Sequence, residues 1–189
     1  MESALNAAEL GRIMPHLSAS NAAIFAPALT DAMIEFQINT PIRQATFIAQ
    51  LAHESGEFRY MEELASGHAY NGRADLGNTL PEAISYSNGE PGPYFKGHGP
   101  IQITGFINHR DCSIALFGDD TLLKDPRRLT DPVIGCRGAG WFWSSRGLSG
   151  LADSFKFGSV TKRVNGGYNG LDERCLYWAR GLIVLNVAV

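Results

Sequence analysis

The chain has 189 residues, of which 44% are hydrophobic and 19% are charged, and its formal net charge is −3. This length and composition are typical of one soluble globular domain with a real core, so we expect a single domain over residues 1–189. The small negative charge gives no electrostatic reason for binding to nucleic acid or to an anionic membrane.

Helical patterns dominate the first part of the chain. Asn21 is placed to cap a helix that runs to about Phe36. Thr40 and Pro41 form a cap followed by proline at the first helical position, and no breaker interrupts residues 42–54. Gly56 offers a left-handed stop for this second helix.

The helical pattern lapses over residues 66–99, which contain seven glycines and three prolines. A loop region this long in a compact chain is usually functional, so we expect a small loop-rich lobe there. Helical patterns return near residues 105–117, 132–146 and 172–187, with a short helix near 154–164, and no stretch alternates convincingly like a strand. The predicted fold is mainly α, with a cleft between a helical body and the loop-rich lobe.

The termini and cysteines indicate a chain made in a reducing compartment. Glu2 lies where a secretory signal needs positive charge, and the apolar run at residues 182–189 is too short to span a bilayer. Cys112, Cys136 and Cys175 are too few for a disulfide framework and are expected to be small core residues. We therefore expect synthesis in the cytoplasm without a signal peptide, and no stable membrane insertion.

Glu54 is the first candidate catalytic carboxylate. Phe47, Leu51 and Glu54 fall at i, i+4 and i+7, so Glu54 continues an apolar stripe. It also lies in the last turn of its helix, where the helix dipole disfavours an anion, and partial burial acts in the same direction. A carboxyl group that keeps its proton near neutral pH suits general acid catalysis.

Glu63 is the candidate partner carboxylate. It lies beyond the predicted helix stop, so the two glutamates need not share a face and can flank a cleft. Inverting glycosidases hold their carboxyl groups roughly 6.5–9.5 Å apart, which leaves space for a water. Glu57 is too close to the helix stop for this role, whereas Glu62 remains an alternative by spacing.

Two glycine-rich runs, at residues 95–109 and 164–170, carry amides and hydroxyls with few charges. Such runs suit a backbone that approaches a neutral polar ligand such as a sugar. If the first run is extended, Gln102 and Thr104 point the same way and present an amide and a hydroxyl to a sugar or to the attacking water. Asn165 in the second run offers both a donor and an acceptor.

His53 raises the question of a metal site. The zinc-protease motif H-E-x-x-H fails because residue 57 is glutamate, and the five histidines show no ligand spacing, so we expect no metal and no cofactor. His53 is then a hydrogen-bonding side chain that orients its neighbours. Tyr70, in the loop-rich stretch, offers a ring that could stack on a sugar face.

Four ordered segments, AHESGEF, YNGRADLGNT, FKGHGPIQITGFINH and VNGGYNG, together resemble glycoside hydrolase family 19. The resemblance covers about residues 40–178 and is stronger to the phage endolysin and bacterial lysozyme-like branch than to the plant chitinases. It implies a lysozyme-like α-helical fold and an inverting mechanism without cofactor. By the same resemblance, Glu54 is the general acid, Glu63 the general base and Thr104 a residue that helps to position the water, while Gln102, Asn108 and Asn165 bind sugar and Arg174 supports the acidic cluster. His53 and Tyr70, taken from their residue chemistry, complete the predicted set of substrate-binding residues.

The chain departs from the pattern of that family in four places. His98 replaces the usual arginine, Phe106 replaces a second arginine, and His109 stands where tyrosine is common. The loop at residues 80–94 is also longer than usual in this branch. None of these changes removes a carboxylate, so we expect the activity to persist and the shape of the subsites to differ.

The leading functional hypothesis is a monomeric endolysin that cuts the β-1,4 bonds of peptidoglycan glycan strands. It would have no separate wall-binding module, and it would reach the wall after holin-type release and lyse the host cell. A chitinase that acts on N-acetylglucosamine polymers is the close alternative, and a bacterial toxin with the same chemistry is a further one. A non-catalytic glycan-binding module represents another class, but such a module has no need of Glu54 and Glu63.

Overall fold

The computed structural model describes residues 4–187, and over that range the chain is mainly α, as predicted. The prediction made from Glu2, and the last two residues of the apolar C-terminal run, lie outside the described residues. No helix in residues 4–187 has both the length and the apolarity needed to cross a bilayer. The α-helices in this range are α1 (Ala7–Ile13), α2 (Ala19–Glu35), α3 (Pro41–Glu54), α4 (Pro81–Tyr86), α5 (Pro91–Tyr94), α6 (Phe106–Phe117), α7 (Thr121–Lys124), α8 (Pro132–Ser145), α9 (Leu148–Asp153), α10 (Phe157–Asn165) and α11 (Leu171–Val184).

The helix boundaries follow local capping chemistry. Thr40 Oγ1 accepts from the backbone N–H of Arg43 at 3.4 Å, so α3 begins where the sequence predicted. The start of α2 was predicted wrongly, because Ser18 is the cap and Asn21 is the residue whose N–H it accepts, at 3.1 Å. The prediction also missed α1, although a complete capping box between Asn6 and Glu9 marks its start.

Helix α3 lies at the centre of the helical body. Every residue from 45 to 52 is buried, so the predicted apolar stripe was too narrow and the helix is enclosed all round in this stretch. Helix α11 packs along α3, and a Cβ atom on Gly181 would lie 3.1 Å from the Cβ of Ala45, which shows how closely the two backbones approach. Helix α2 packs along α8.

The loop-rich stretch forms a small lobe of short helical segments rather than an irregular loop. Two 3₁₀ turns, at His68–Tyr70 and Ala74–Leu76, come first in it, and helices α4 and α5 follow. A second apolar cluster, separate from the main core, lies beneath it and consists of Ala83, Phe95, Phe106 and Leu123. The longer loop at residues 80–94 therefore carries α4 and α5, which pack on this cluster.

Three of the departures from the family pattern lie together under this lobe. The His98 and His109 rings are hydrogen-bonded between Nδ1 and Nε2 at 3.2 Å, and Phe95 packs edge-on against Phe106 and at a tilt against His109. His109 Nδ1 donates to the Gly105 carbonyl at 2.9 Å, so His109 Nε2 accepts and His98 Nδ1 donates. In this assignment each ring carries a single proton, on Nδ1, and is neutral.

We expect stability to fall when the pH is lowered from 7 to 5, because of this histidine pair. Burial lowers the pKa of His98 to about 4 and that of His109 to about 3, and the facing Glu62 only partly opposes the shift at His98. Above pH 6.5 the rings are neutral in both states. Below pH 6.5 the two histidines of the unfolded chain bind protons, whereas those of the folded chain stay neutral down to about pH 4. The expected loss at pH 5 is on the order of 2 kcal/mol or more.

Urea unfolding followed by circular dichroism at the two pH values measures this loss, and NMR of the imidazole signals assigns it. His68, which is exposed and lies 3.2 Å from Glu90, supplies a control variant, His68→Gln. This variant should keep the wild-type pH dependence. His98 and His109 signals that titrate near pH 6.5 in the folded protein would contradict the prediction.

Candidate active site

Glu54 ends helix α3, and a fully buried arginine holds its carboxylate. Arg174 Nη2 lies 2.5 Å from Glu54 Oε1, and Arg174 Nη1 donates to Gln50 Oε1 at 2.8 Å. The Arg174 side chain is 0% exposed, whereas the Glu54 side chain remains 17% exposed. The structure therefore brings Arg174 to Glu54, fixes the direction of the carboxylate and leaves one side of it open.

A tight reversal follows Glu54 and redirects the chain toward Glu63. Gly56, Glu57 and Phe58 all have φ between 55° and 60°, a left-handed conformation that costs a non-glycine residue about 1–3 kcal/mol. Tertiary contacts hold it, since Glu57 accepts from the His16 N–H at 2.6 Å and from the Tyr177 hydroxyl at 2.8 Å. Glu57 is 4% exposed, so this rival carboxylate is fully engaged in stabilising the turn.

Glu63 lies in an extended segment beside the loop-rich lobe. Its Oε1 accepts from the Tyr70 hydroxyl and its Oε2 from the Gly97 N–H, both at 2.9 Å. The backbone of the same residue also donates to the Gly97 carbonyl at 2.8 Å. Both carboxylate oxygens are thus fixed by neutral donors, and no cation among residues 4–187 forms an ion pair with them.

Glu62 is in a different environment from its neighbour. It pairs with Lys96 at 2.9 Å and with Arg127 at 2.8 Å. Burial acts to raise the pKa of Glu62, but hydrogen bonds from these two cations outweigh burial and lower it. Adjacent residues of an extended segment point to opposite sides, so Glu62 and Glu63 face different surroundings. Glu62 lines a separate pocket of about 350 Å³ together with Lys96 and Arg127.

A polar pocket of about 380 Å³ lies between the loop-rich lobe and the helical body. Five of the residues predicted from the sequence line it: Tyr70, Gln102, Thr104, Asn108 and Asn165. The other lining residues are Arg73, Leu76, Phe142, Arg146, Arg163 and Val164. Tyr70 connects this pocket to Glu63 through its hydroxyl.

The backbone that carries Gln102 and Thr104 is a turn, so the premise of an extended strand was wrong. His98 and Ile103 exchange both backbone hydrogen bonds, at 3.0 and 2.9 Å, and Gln102 has φ of 55°. The Gln102 amide donates to the Gly99 carbonyl at 2.9 Å, which holds it in this conformation. Both Gln102 and Thr104 nevertheless line the pocket, while Ile103 is buried as predicted.

The second glycine-rich run has open space at Gly166 and a close contact at Gly170. Gly166, with φ of 80°, ends helix α10 directly after Asn165. Gly170 is the glycine of this run that most closely approaches another side chain, because a Cβ atom there would lie 2.1 Å from the His53 ring. The close neighbour of this loop is thus a protein side chain. The approach of a ligand to Gly166 and Gly167 stays a prediction.

His53 contacts Glu173 on helix α11 and does not join the five predicted residues that line the polar pocket. Its Nδ1 lies 2.5 Å from Glu173 Oε2, and it is not among the residues that line the polar pocket. The structure therefore gives His53 a contact that orients the end of α3, and no contact with the pocket. Within residues 4–187 no group of three or more histidine, cysteine, aspartate or glutamate side chains is arranged to hold a metal ion.

Sequence reasoning missed the arginines of the pocket, Arg73, Arg146 and Arg163. Arg73 lies inside one of the four segments that carry the resemblance, but only its position in the fold shows that it faces the pocket. Arg146 entered the sequence analysis only as the last residue of the predicted helix 132–146. That position alone did not indicate a binding role.

Solved structures with the same architecture identify the class of fold. A bacterial family 19 chitinase has a TM-score of 0.76 to this chain at 19% identity, and the match covers 98% of this chain and 97% of that one. Chitinase C from Streptomyces griseus HUT6037 has a TM-score of 0.73 at 22% identity, covering 97% and 77%. These likenesses confirm the predicted lysozyme-like helical fold.

Sequence comparisons identify the family. Residues 21–149 match the family model described as chitinase class I. A glycosyl hydrolase family 19 domain-containing protein of Haemophilus influenzae is 31% identical over 166 residues, covering 76% of this chain and 80% of that protein. Endochitinase At2g43610 of Arabidopsis thaliana is 36% identical over 124 residues, which are 65% of this chain but only 39% of the plant protein. The chain belongs to glycoside hydrolase family 19, as the sequence motifs predicted.

Proposed function

We propose that this chain hydrolyses β-1,4 bonds between N-acetylglucosamine units by an inverting, cofactor-free mechanism. The names of its relatives support chitin as the first substrate to test, so the chitinase alternative has more support than the endolysin hypothesis. The observation that carries the proposal is the pair of glutamates in unlike environments. Glu54 is paired with a buried arginine, and Glu63 accepts from neutral donors, one of which, Tyr70, lines the polar pocket.

In this mechanism Glu54 protonates the oxygen of the leaving sugar as the bond to the anomeric carbon breaks. Arg174 is a positioning residue: it sets the direction of the carboxyl group and stabilises the carboxylate that remains after the proton is transferred. Glu63 accepts a proton from the water that attacks the opposite face of the sugar. Its hydrogen bonds to Tyr70 and Gly97 fix both oxygens in place before the reaction.

Thr104 is suited to hold the attacking water. Its hydroxyl donates to the Gln102 carbonyl at 2.9 Å, which leaves the oxygen free to accept a hydrogen bond from a water. Asn108, whose amide donates to the Thr104 carbonyl at 2.7 Å, fixes the same segment. Gln102, Asn108 and Asn165 then offer amide groups to the hydroxyls and acetamides of the sugar.

The first product released from a β-linked substrate is expected to be the α-anomer. In the proposed geometry a water, and no carboxylate, attacks the anomeric carbon, so the configuration inverts in one displacement. Proton NMR of a fresh digest of a chitin oligosaccharide, recorded before mutarotation, measures the anomer. An initial β-anomer, or a trapped glycosyl-enzyme, would contradict the mechanism.

The substrate is tested by parallel digests of chitin oligosaccharides and of peptidoglycan glycan strands, with product lengths read by mass spectrometry. The proposal expects cleavage of the chitin oligosaccharides, abolished in Glu54→Gln. If the folded chain cleaves neither polymer at a rate above that of this variant, the proposed function is wrong. The endolysin role, with release through a holin, stays a prediction that only lysis experiments in cells can address.

A further inference from the structure

The lining of the polar pocket has an excess of cationic side chains although the whole chain is slightly acidic. Its lining includes Arg73, Arg146 and Arg163 and no aspartate or glutamate, whereas the chain as a whole carries a formal charge of −3. Arg73 is held by Asp75 through two hydrogen bonds, at 2.7 and 2.6 Å, so its charge is compensated. The other two arginines have no carboxylate within 4 Å among residues 4–187.

Arg146 is partly buried in the cleft wall and is aligned there by its neighbours. Its guanidinium lies 3.5 Å from the centroid of the Phe142 ring, and its Nη2 donates to Asn108 Oδ1 at 3.2 Å. A further contact joins its Nη1 to Ser145 Oγ at 3.3 Å. Withdrawing a guanidinium from water without an anion carries a desolvation cost, which also lowers the pKa of Arg146.

Arg163 places a second charge beside the first. It lies in the last turn of α10, and its Nη1 donates to the Arg146 carbonyl at 3.1 Å. That bond engages one nitrogen of a side chain that lines the pocket and leaves its other nitrogens available. A helix C-terminus favours a cation by only about 0.3–1 kcal/mol at an exposed site, and this does not account for two arginines converging on one pocket.

A neutral glycan does not require this charge. Sugar hydroxyls and acetamides are bound by amides and hydroxyls, and Gln102, Thr104 and Asn165 already supply such groups in the same pocket. A planar guanidinium fork is instead matched to a carboxylate, with which it forms paired charge-assisted hydrogen bonds. The two arginines therefore match a sugar polymer that carries carboxylates.

We propose that Arg146 and Arg163 form a carboxylate-binding subsite, which makes this cleft favour β-1,4-linked N-acetylglucosamine glycans with carboxylate substituents over neutral chitin. The proposal rests on the proposed function, since it concerns the same cleft. In a bacterial glycan strand the carboxylate can come from the lactyl ether of the sugar or from an attached peptide stem. Both sources offer the same group to the arginines.

The test compares kcat/KM on three soluble substrates: a neutral chitin oligosaccharide, glycan strands with peptide stems, and strands from which an amidase has removed the stems. Removal of the stems frees the lactyl carboxylate, so the last two substrates distinguish the two sources. We expect Arg163→Gln and Arg146→Gln to lower the ratio of the anionic to the neutral kcat/KM about tenfold each, as expected for loss of a charge-assisted hydrogen bond. Arg146→Lys should recover part of the ratio.

Arg128→Gln is the matched control, because Arg128 also lies over an aromatic ring, at 5.5 Å from the Phe117 centroid, but away from the pocket. It makes the same change in net charge and should leave the ratio at the wild-type value. Added salt should lower the wild-type rate on the anionic strands more than that of the Arg163→Gln variant. Circular dichroism confirms that each variant is folded.

The subsite would be overturned if Arg163→Gln lowered kcat/KM equally on the neutral and anionic substrates. It would also be overturned if Arg128→Gln lowered the anionic-to-neutral ratio as much as Arg163→Gln does. Either result leaves the proposed function intact, provided that the wild type cleaves a β-1,4 glycan and Glu54→Gln does not. Failure of the wild type on all three substrates would instead reject the proposed function. The two proposals therefore fail in distinguishable ways.

Discussion

Replacement of Glu54 by glutamine is expected to lower kcat by about 10²–10⁴-fold, the usual contribution of general acid catalysis. Glutamine has almost the same shape, so it fits at the end of α3 and its amide oxygen still accepts from Arg174 Nη2. It has no proton to give to the leaving oxygen. The charge on Arg174 is then buried without an anion, and we expect the protein to lose on the order of 1–3 kcal/mol of stability while remaining folded.

Initial rates on a chitin oligosaccharide, beside a urea unfolding curve, separate the chemistry from the stability. Glu35→Gln is the matched control, since it breaks another glutamate–arginine pair, Glu35 to Arg137 at 2.7 Å, outside the cleft. This control should retain wild-type activity. Turnover by folded Glu54→Gln within about tenfold of the wild type would remove Glu54 from the mechanism.

The second large effect is expected from Glu63→Gln, whereas Glu62→Gln should change turnover little. Glutamine at position 63 keeps one acceptor for the Gly97 N–H, and the Tyr70 hydroxyl can rotate to accept from the new amide, so the fold should persist. The variant has no base to receive the proton of the water, and we expect kcat to fall about 10²–10⁴-fold.

Glu62→Gln serves as the neighbouring control because it removes the same charge from a group that pairs with Lys96 and Arg127 outside the polar pocket. Partly exposed pairs of this kind contribute roughly 0.2–1 kcal/mol each, so its stability should drop only slightly. The readout is kcat on the same oligosaccharide. Should Glu62→Gln be the inactive variant, the base would be Glu62 and the assignment would be wrong by one residue.

Much of the helical fold was predictable because its signals are local. Thr40 and Pro41 start α3 whatever the rest of the chain does, since a side-chain cap and a fixed φ angle act within one turn. The α2 start was misplaced because Ser18 and Asn21 are both good caps, and only one can occupy the position where the helix begins. The burial of α3 all round was not predictable, because it depends on α11 and other helices distant in sequence.

The site shows the same division between local and tertiary information. Sequence motifs by themselves pointed to Tyr70, Gln102, Thr104, Asn108 and Asn165, and all five line one pocket. They did so through residue chemistry and resemblance, although the extended conformation assumed for Gln102 was incorrect. To predict a turn that is closed by two backbone hydrogen bonds, one must know which two residues pair. The glycine-rich sequence is compatible with several turns and does not specify the pair.

What the sequence by itself determined is the family, the mainly α fold and the residue types from which a glycosidase site is built, because these depend on local pattern and motif order. The tertiary structure alone decided how the charges are paired. Within residues 4–187 it paired Arg174 with Glu54 and two cations with the Glu62 carboxylate, whereas the Glu63 carboxylate has no ion pair and Arg146 has no carboxylate within 4 Å. Electrostatic environment is set by groups up to 120 residues apart in the chain, as Glu54 and Arg174 are, so no local pattern contains it.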